Sequence, residues 1–112
     1  MRAKKKTIGE ELYRKTSIND LILFSIFSVT GNREKCIFER LVKECFTLFP
    51  KTFCLSGFPK WPDSRKLDRS LRSLRKRKLI IGNPKTPFSL TKLGKKTAEE
   101  IAKIFRQRKL DL

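Results

Sequence analysis

The chain has 112 residues, enough for one domain with a modest hydrophobic core. It carries 28 Lys and Arg against 11 Asp and Glu, a net charge of +17, while nine Phe and a hydrophobic content of 38% exclude a disordered basic tail. This balance predicts a folded protein whose surface meets a polyanion, and nucleic acid is a stronger candidate partner than an anionic membrane.

The first sixteen residues (1–16) form a basic arm that contains one helix signal. Thr7-x-x-Glu10 is a capping-box pattern, which predicts a short helix from Ile8 to about Lys15. Such an arm suits contact with phosphates or with a minor groove. It suits equally a solubilising end or a dimerisation element, and the residues leave these alternatives open.

The next predicted helix is apolar on nearly every side. Ser17, with Asp20 three residues later, is a helix cap, and the apolar residues continue to Val29. Thr30-Gly31-Asn32 ends the pattern. We therefore expect a central core helix or part of a dimer interface.

A third predicted helix begins at Arg33 or Glu34 and reaches about Phe49. Apolar residues follow helical spacing along one side. The other side carries the residues that we expect to be exposed, namely Glu34, Glu39, Lys43 and Glu44. Because this is the least basic part of the chain, we expect it to support the fold rather than to contact a polyanion.

Residues 50–61 are interpreted as an irregular connection. Pro50, Gly57 and Pro59 argue against regular structure, whereas the aromatic residues predict that the segment packs on the core. These aromatic residues are Phe53, Phe58 and Trp61. Stacking of one of them on a nucleobase is the weaker alternative, because duplex DNA hides its base faces.

The stretch from Ser64 to Lys78 predicts a helix with two unlike edges. Leu67, Leu71 and Leu74 fall within about 60° of each other on a helical wheel. The opposite edge carries Arg65, Arg69, Arg72 and Lys76. Pro62 with Asp63 or Ser64 marks its start. Because a guanidinium can hold a phosphate or the O6/N7 edge of guanine with two bonds, we interpret the helix as a DNA-reading element rather than an ordinary solvated face.

Two short apolar runs, Leu79–Ile81 and Phe88–Leu90, predict a β-hairpin. The intervening residues 82–87 contain Gly82, Pro84 and Pro87, which favour a rigid tip. We interpret Lys85 at the tip as a phosphate or minor-groove contact, against the alternative of an ordinary exposed lysine.

Thr91 is the predicted cap of a last helix. The apolar stripe of this helix comprises Leu93, Ala98, Ile101, Ile104 and Phe105. Residues 106–112 are expected to form a frayed, basic C-terminal end.

Metal binding and catalysis find little support in the composition. Cys36, Cys45 and Cys54 form no C-x-x-C pair and the chain has no histidine, so we expect free buried thiols and no metal or cofactor. Glu99 and Glu100 are adjacent on a helix and therefore diverge. We expect a protein that is not an enzyme. No segment is apolar enough to span a bilayer and no signal-peptide stretch follows Met1–Lys6, so a cytoplasmic location is expected, at the nucleoid if the source is prokaryotic.

The order of predicted elements resembles the winged helix-turn-helix superfamily, and in particular its small prokaryotic regulators. The most specific piece of the resemblance is Leu90-Thr91-x-x-Gly94-x-x-x-Ala98 directly after the hairpin. The pattern Leu71-x-x-Leu74-x-x-x-x-Leu79-Ile80, which closes the basic helix and enters the hairpin, is also typical of these proteins. The resemblance covers residues 17–105. It implies a mainly α fold with a small β-hairpin (α+β), extended by N- and C-terminal helices. It also implies that the helix at 64–78 lies in the major groove while the hairpin rests on adjacent backbone. The long 50–61 connection departs from this pattern.

These expectations define a candidate DNA-binding set. Arg65, Arg69 and Arg72 face the major groove, with the remaining contacts assigned to Ser64, Lys66, Ser73, Lys76, Arg77 and Lys85. Asp68 could accept from a cytosine amino group, but pairing with Arg72 four residues later is favoured.

The expected function is duplex DNA binding, most simply as a transcriptional regulator. The same fold is compatible with two alternative functions. One is an RNA- or ribosome-associated basic module, and the other is a protein-interaction module within a larger complex. A homodimer would double the footprint, and the residues do not decide whether one forms.

Overall fold

The computed structural model describes residues 7–110, which form six helices and two small antiparallel hairpins. The elements in chain order are α1 (Glu10–Tyr13), α2 (Ile18–Gly31), α3 (Phe38–Leu48), α4 (Pro50–Phe53), β1 (Cys54–Leu55), β2 (Phe58–Pro62), α5 (Arg65–Lys76), β3 (Ile80–Asn83), β4 (Thr86–Leu90) and α6 (Lys92–Leu110). The predicted α+β class is confirmed. Over this described range, none of the helices has the length and apolar character that crossing a membrane requires.

Helix α2 is the centre of the core, as its all-round apolar sequence predicts. The Ser17 hydroxyl accepts a hydrogen bond from the Asp20 amide at 3.2 Å, which confirms the predicted cap. Leu21, Ile22 and Ile26 are fully buried. Helices α3, α5 and α6 and strand β4 all pack against α2, so this helix sets the positions of the surrounding elements.

The N-terminal helix is shorter than predicted. Helix α1 begins at Glu10 and its N-cap is Gly9, with no side-chain cap, so the capping box expected at Thr7 is wrong. Tyr13 is buried, its ring packs edge-on against Phe49, and its hydroxyl accepts from the Lys51 amide at 3.1 Å. The described part of the arm, residues 7–16, therefore packs on the same core as the helices. Residues 1–6 of the predicted arm lie outside the described range.

Helix α3 begins at Phe38, four to five residues later than predicted. Arg33 adopts a left-handed backbone (φ 62°), and the chain then runs extended so that Cys36 pairs with Phe88 of β4. The Phe88 amide donates to the Cys36 carbonyl at 2.9 Å, so Cys36 forms an isolated antiparallel bridge to β4 at the edge of the β3–β4 sheet. Glu44, predicted on the exposed face, is buried instead.

The connection at residues 50–61 is regular, contrary to prediction. It forms α4 and then an antiparallel hairpin, β1–β2, in which Gly57 supplies the positive φ of 81° that the turn requires. Phe53 is buried as expected, but Phe58 and Trp61 are exposed. A two-stranded hairpin has no second layer of its own, so its rings are left in solvent.

The second hairpin is longer than predicted and its turn is tighter. Strands β3 and β4 enclose only Pro84 and Lys85, because Asn83 and Thr86 already pair. The Thr91 hydroxyl accepts from the Gly94 amide at 3.0 Å and donates to the Lys78 carbonyl at 2.7 Å, which confirms Thr91 as the cap of α6.

The last helix differs from prediction in two respects. Residues 106–110, which we expected to fray, continue α6. The guanidinium of Arg108 donates to the Leu12 carbonyl at 2.6 Å and to the Thr16 hydroxyl at 3.0 Å, and these bonds hold the helix against the N-terminal segment. Leu93 and Ile104, predicted in the apolar stripe, are exposed.

The three cysteines are free, as predicted, and two of them are fully buried. Cys36 and Cys45 lie in the core, whereas Cys54 is only half-buried in β1. Burial in apolar surroundings disfavours the thiolate and raises the pKa of Cys36 to about 12; burial likewise raises the pKa of Cys45.

We expect the free energy of unfolding to fall as the pH rises above the pKa of an unfolded thiol, about 8.5. A group whose pKa is raised by folding contributes its full stability below the unfolded pKa and loses it as the pH approaches the folded value. Each buried thiol then adds a slope of about 1.4 kcal/mol per pH unit. Urea titrations between about pH 7.5 and 9.5 measure this slope. An equal slope in a Cys36→Ala/Cys45→Ala variant would contradict the assignment.

Candidate nucleic-acid interface

Helix α5 has its predicted inner edge and well-defined ends. Leu67, Leu71 and Leu74 are all buried. The Asp63 carboxylate accepts from the Arg65 amide at 3.1 Å, and so Asp63 rather than Ser64 supplies the side-chain cap. Lys78 ends the helix in a left-handed conformation (φ 60°), while the Leu79 amide bonds the Leu74 carbonyl at 3.0 Å. Helix α5 therefore presents a fixed outer surface.

The front edge of α5 is the set of four cations opposite the leucines: Arg65, Arg69, Arg72 and Lys76. All four are exposed. Within residues 7–110 the carboxylate that pairs with this edge is Asp68, 3.1 Å from Arg72, which confirms the predicted i, i+4 pair. Because both side chains are more than half exposed, the pair is weak and a phosphate can displace the carboxylate.

One flank of the front edge meets the β3–β4 hairpin. The Arg75 guanidinium donates to the Gly82 carbonyl at 3.0 Å. Between the two elements lies an open cleft of about 400 Å³, lined in part by Asp68, Arg72 and Arg75 from α5 and by Asn83 and Lys85 from the hairpin. Three cations face one carboxylate there, so the cleft attracts anions.

The hairpin tip holds Lys85 in a defined place. The Asn83 carboxamide oxygen accepts from the Lys85 amide at 2.7 Å, and the Asn83 amide donates to the Thr86 hydroxyl at 3.2 Å. The tip is therefore braced by side chains as well as by its proline. Lys85 itself is exposed beside the cleft, as the predicted phosphate or minor-groove contact requires.

The other flank of the front edge meets helix α4. The Lys66 ammonium donates to the Thr52 carbonyl at 2.7 Å, so part of its hydrogen-bonding capacity serves the fold. Ser64 and Arg77 are exposed at the two ends of the helix, and Ser73 is half-buried on this flank. Of the nine predicted contact residues, eight are exposed and Ser73 is half-buried, and the cleft brings Arg72 together with Lys85 at the hairpin tip.

The sequence prediction missed two groups of cations. Arg75 is one, although it lies only about 60° from Arg72 on the helical wheel. The other is a stripe along α6, comprising Lys92, Lys95, Lys96, Lys103 and Arg106. All five are exposed, and no carboxylate within residues 7–110 pairs with them. Their shared face was visible in the helical spacing.

Comparison of the chain with protein-family models, with curated proteins and with solved structures found no match. Across the described residues, no cluster of three or more His, Cys, Asp or Glu side chains is placed to hold a metal ion. The candidate interface is therefore argued from its geometry and charge.

Proposed function

We propose that this protein binds duplex DNA, with the front edge of α5 in the major groove and the β3–β4 hairpin on the adjacent backbone, and that it acts as a transcriptional regulator. The observation that carries the proposal is the front edge itself. Three buried leucines fix the orientation of α5, so four exposed cations face outward along one line. An α-helix with such an edge fits the major groove, where arginine can bond guanine and flanking cations can bond phosphate.

The element order supports a winged helix-turn-helix as the finer description of the fold. A core helix (α2), a segment at Cys36 that bridges to β4, a supporting helix (α3), the basic helix α5 and the β3–β4 hairpin occur in this order, with α4 and the β1–β2 hairpin inserted between α3 and α5. In that arrangement α5 is the recognition helix and residues 82–87 contain the wing. The cleft between α5 and Lys85 then accommodates a backbone phosphate.

We expect that Arg69→Ala weakens duplex binding by about 1–3 kcal/mol if Arg69 contacts a base. Arg69 lies in the middle of the front edge and no described carboxylate pairs with it. The Arg69→Ala substitution therefore removes a contact with DNA and breaks no described ion pair within the protein. Fluorescence anisotropy with a labelled duplex measures the change, and an unchanged affinity would remove Arg69 from the interface.

A charge-matched pair of variants distinguishes binding by the front edge of α5 from non-specific electrostatic attraction between the protein and DNA. Replacing Arg65, Arg69 and Arg72 with Gln removes three charges from α5, and replacing Lys92, Lys96 and Lys103 with Gln removes three from α6. We expect the α5 variant to lower the slope of log affinity against log salt by up to about 2.7, the limit reached when each of the three cations neutralises a phosphate at roughly 0.9 per contact. The α6 variant should change it far less. Equal losses would contradict the proposed placement.

The same assay tests the alternative partners. In competition between duplex DNA and structured RNA, tighter binding to RNA by more than about tenfold would favour the RNA-associated module. Weak binding that is insensitive to salt would favour a module for protein interaction.

A further inference from the structure

The β1–β2 hairpin, here called the entry hairpin (residues 54–62), has a surface that the fold does not use. Every residue of β2 is exposed, and Phe58 and Trp61 expose 62% and 63% of their surface. Two large rings on one short strand are thus left in contact with water. They contribute little to the core and are available to contact a partner.

The base of the entry hairpin is fixed to the start of α5. The Asp63 amide donates to the Phe53 carbonyl at 2.7 Å, and the Lys66 ammonium donates to the Thr52 carbonyl at 2.7 Å. Only Asp63 and Ser64 separate β2 from α5. The hairpin therefore holds its position when α5 engages a ligand.

The β3–β4 hairpin and the α4 segment that leads into the entry hairpin lie on opposite flanks of α5. Arg75 bonds the β3–β4 hairpin, and Lys66 bonds the α4 segment that leads into β1. On a helical wheel these two residues are about 180° apart, and the front edge lies midway between them. A ligand that runs across the front edge therefore extends toward both hairpins.

The charge around the entry hairpin identifies the chemistry of that ligand. Lys51 and Lys60 are exposed; Lys60 lies between Phe58 and Trp61 in the sequence of β2, and Arg65 follows at the start of α5. Asp63 is the nearby carboxylate in the sequence, and it is occupied in capping α5. A surface that combines rings with cations fits nucleic acid, whose sugars and base edges pack on rings while its phosphates pair with lysine.

We propose that the entry hairpin is a second DNA-contacting hairpin, on the opposite flank of α5 from β3–β4. Phe58 and Trp61 pack against the sugar and base edges of the minor groove beside the α5 site, and Lys60 pairs with a phosphate. The proposal rests on the proposed function. It extends the footprint of the protein beyond the reach of α5 and the β3–β4 hairpin.

Trp61 is the single tryptophan of the chain, so its fluorescence reports on this hairpin alone. The experiment titrates the full chain with a mixed-sequence duplex of about 30 base pairs, roughly three helical turns. At saturation we expect the acrylamide quenching constant of Trp61 to fall roughly by half, because the ring becomes covered. An unchanged constant alongside intact binding by the front edge would overturn this proposal and leave the proposed function standing. A failure of the duplex to bind would overturn both.

Variants provide a second, independent readout. Phe58→Ala/Trp61→Ala should lower duplex affinity by about tenfold. Leu93→Ala is the matched control, since Leu93 is a comparably exposed apolar residue on α6 and should leave affinity unchanged. Should the double variant unfold, the quenching titration on the native chain still decides. Shielding of Trp61 that grows with protein concentration in the absence of DNA would assign the surface to self-association and overturn the proposal.

Discussion

Gly94→Ala is expected to destabilise the protein by about 3 kcal/mol, the upper part of the usual range for overpacking. A Cβ atom built on Gly94 lies 1.9 Å from the Leu79 carbonyl oxygen and 2.9 Å from the Leu79 carbonyl carbon. These are backbone atoms at the start of the sheet, and the Leu79 oxygen already accepts from the Thr91 amide at 3.1 Å. The Leu79 backbone atoms cannot rotate away from the added methyl group, so α6 has to move away from Leu79.

A second glycine provides the matched control for this prediction. Gly31 is the last residue of α2, and a Cβ there meets nothing within 4 Å. Gly31→Ala should therefore be neutral or stabilise by about 0.4–1 kcal/mol, because it reduces the freedom of the unfolded chain. Urea denaturation of both variants measures the difference. A Gly94→Ala variant as stable as Gly31→Ala would show that α6 does not approach Leu79 this closely.

Periodicity predicted α2 and α5 well for a physical reason. A buried stripe or an all-round apolar surface repeats over several turns, so each helix carries its own signal in sequence. In α5 the stripe of Leu67, Leu71 and Leu74 also fixed which cations face outward. The core of the candidate site was therefore predictable from a single helix.

The start of α3 shows what local patterns cannot predict. Residues 34–37 have helix-compatible spacing, yet Cys36 pairs with Phe88, more than fifty residues away along the chain. Cys36 therefore forms a bridge to β4 and not a first turn of α3. Such a contact depends on where β4 lies, which no local window contains.

The entry hairpin is a second place where local patterns gave a wrong prediction, because regular structure formed where an irregular connection was expected. Taken together, Pro50, Gly57 and Pro59 predict irregular structure. In the fold, Pro50 begins α4, Gly57 forms the β1–β2 turn and Pro59 lies in the exposed strand β2. The rule that aromatic rings pack on the core held for Phe53 and failed for Phe58 and Trp61. Composition does not distinguish a ring that completes a core from one that the fold leaves exposed.

Glu44 is a buried charge that helical spacing placed on the surface. It lies on α3 with 1% of its surface exposed. Its carboxylate accepts from the Ser28 hydroxyl at 2.6 Å and from the Arg40 guanidinium at 2.8 Å. Arg40 also holds Glu34 at 3.0 Å. This network connects α2, α3 and the segment before α3, so it holds α3 against the central helix α2.

Arg40→Met is expected to destabilise the protein by about 3–5 kcal/mol, the cost of removing one partner from a buried ion pair. The substitution keeps the apolar bulk of the side chain but withdraws the guanidinium from the buried Glu44 carboxylate. Glu34→Gln is the control, because its carboxylate is 40% exposed and such pairs contribute about 0–1 kcal/mol. Urea denaturation of the two variants at one pH gives the comparison.

The double variant Arg40→Met/Glu44→Leu determines whether the cost of Arg40→Met arises from the buried charge or from lost packing. Replacing a buried pair by apolar residues of similar volume is often neutral or stabilising, so the double variant should recover most of the loss. Recovery would mean that the network specifies the position of α3 more than it stabilises the fold. A double variant as unstable as Arg40→Met would instead mean that the loss arises from packing around Arg40 and not from the buried Glu44 charge.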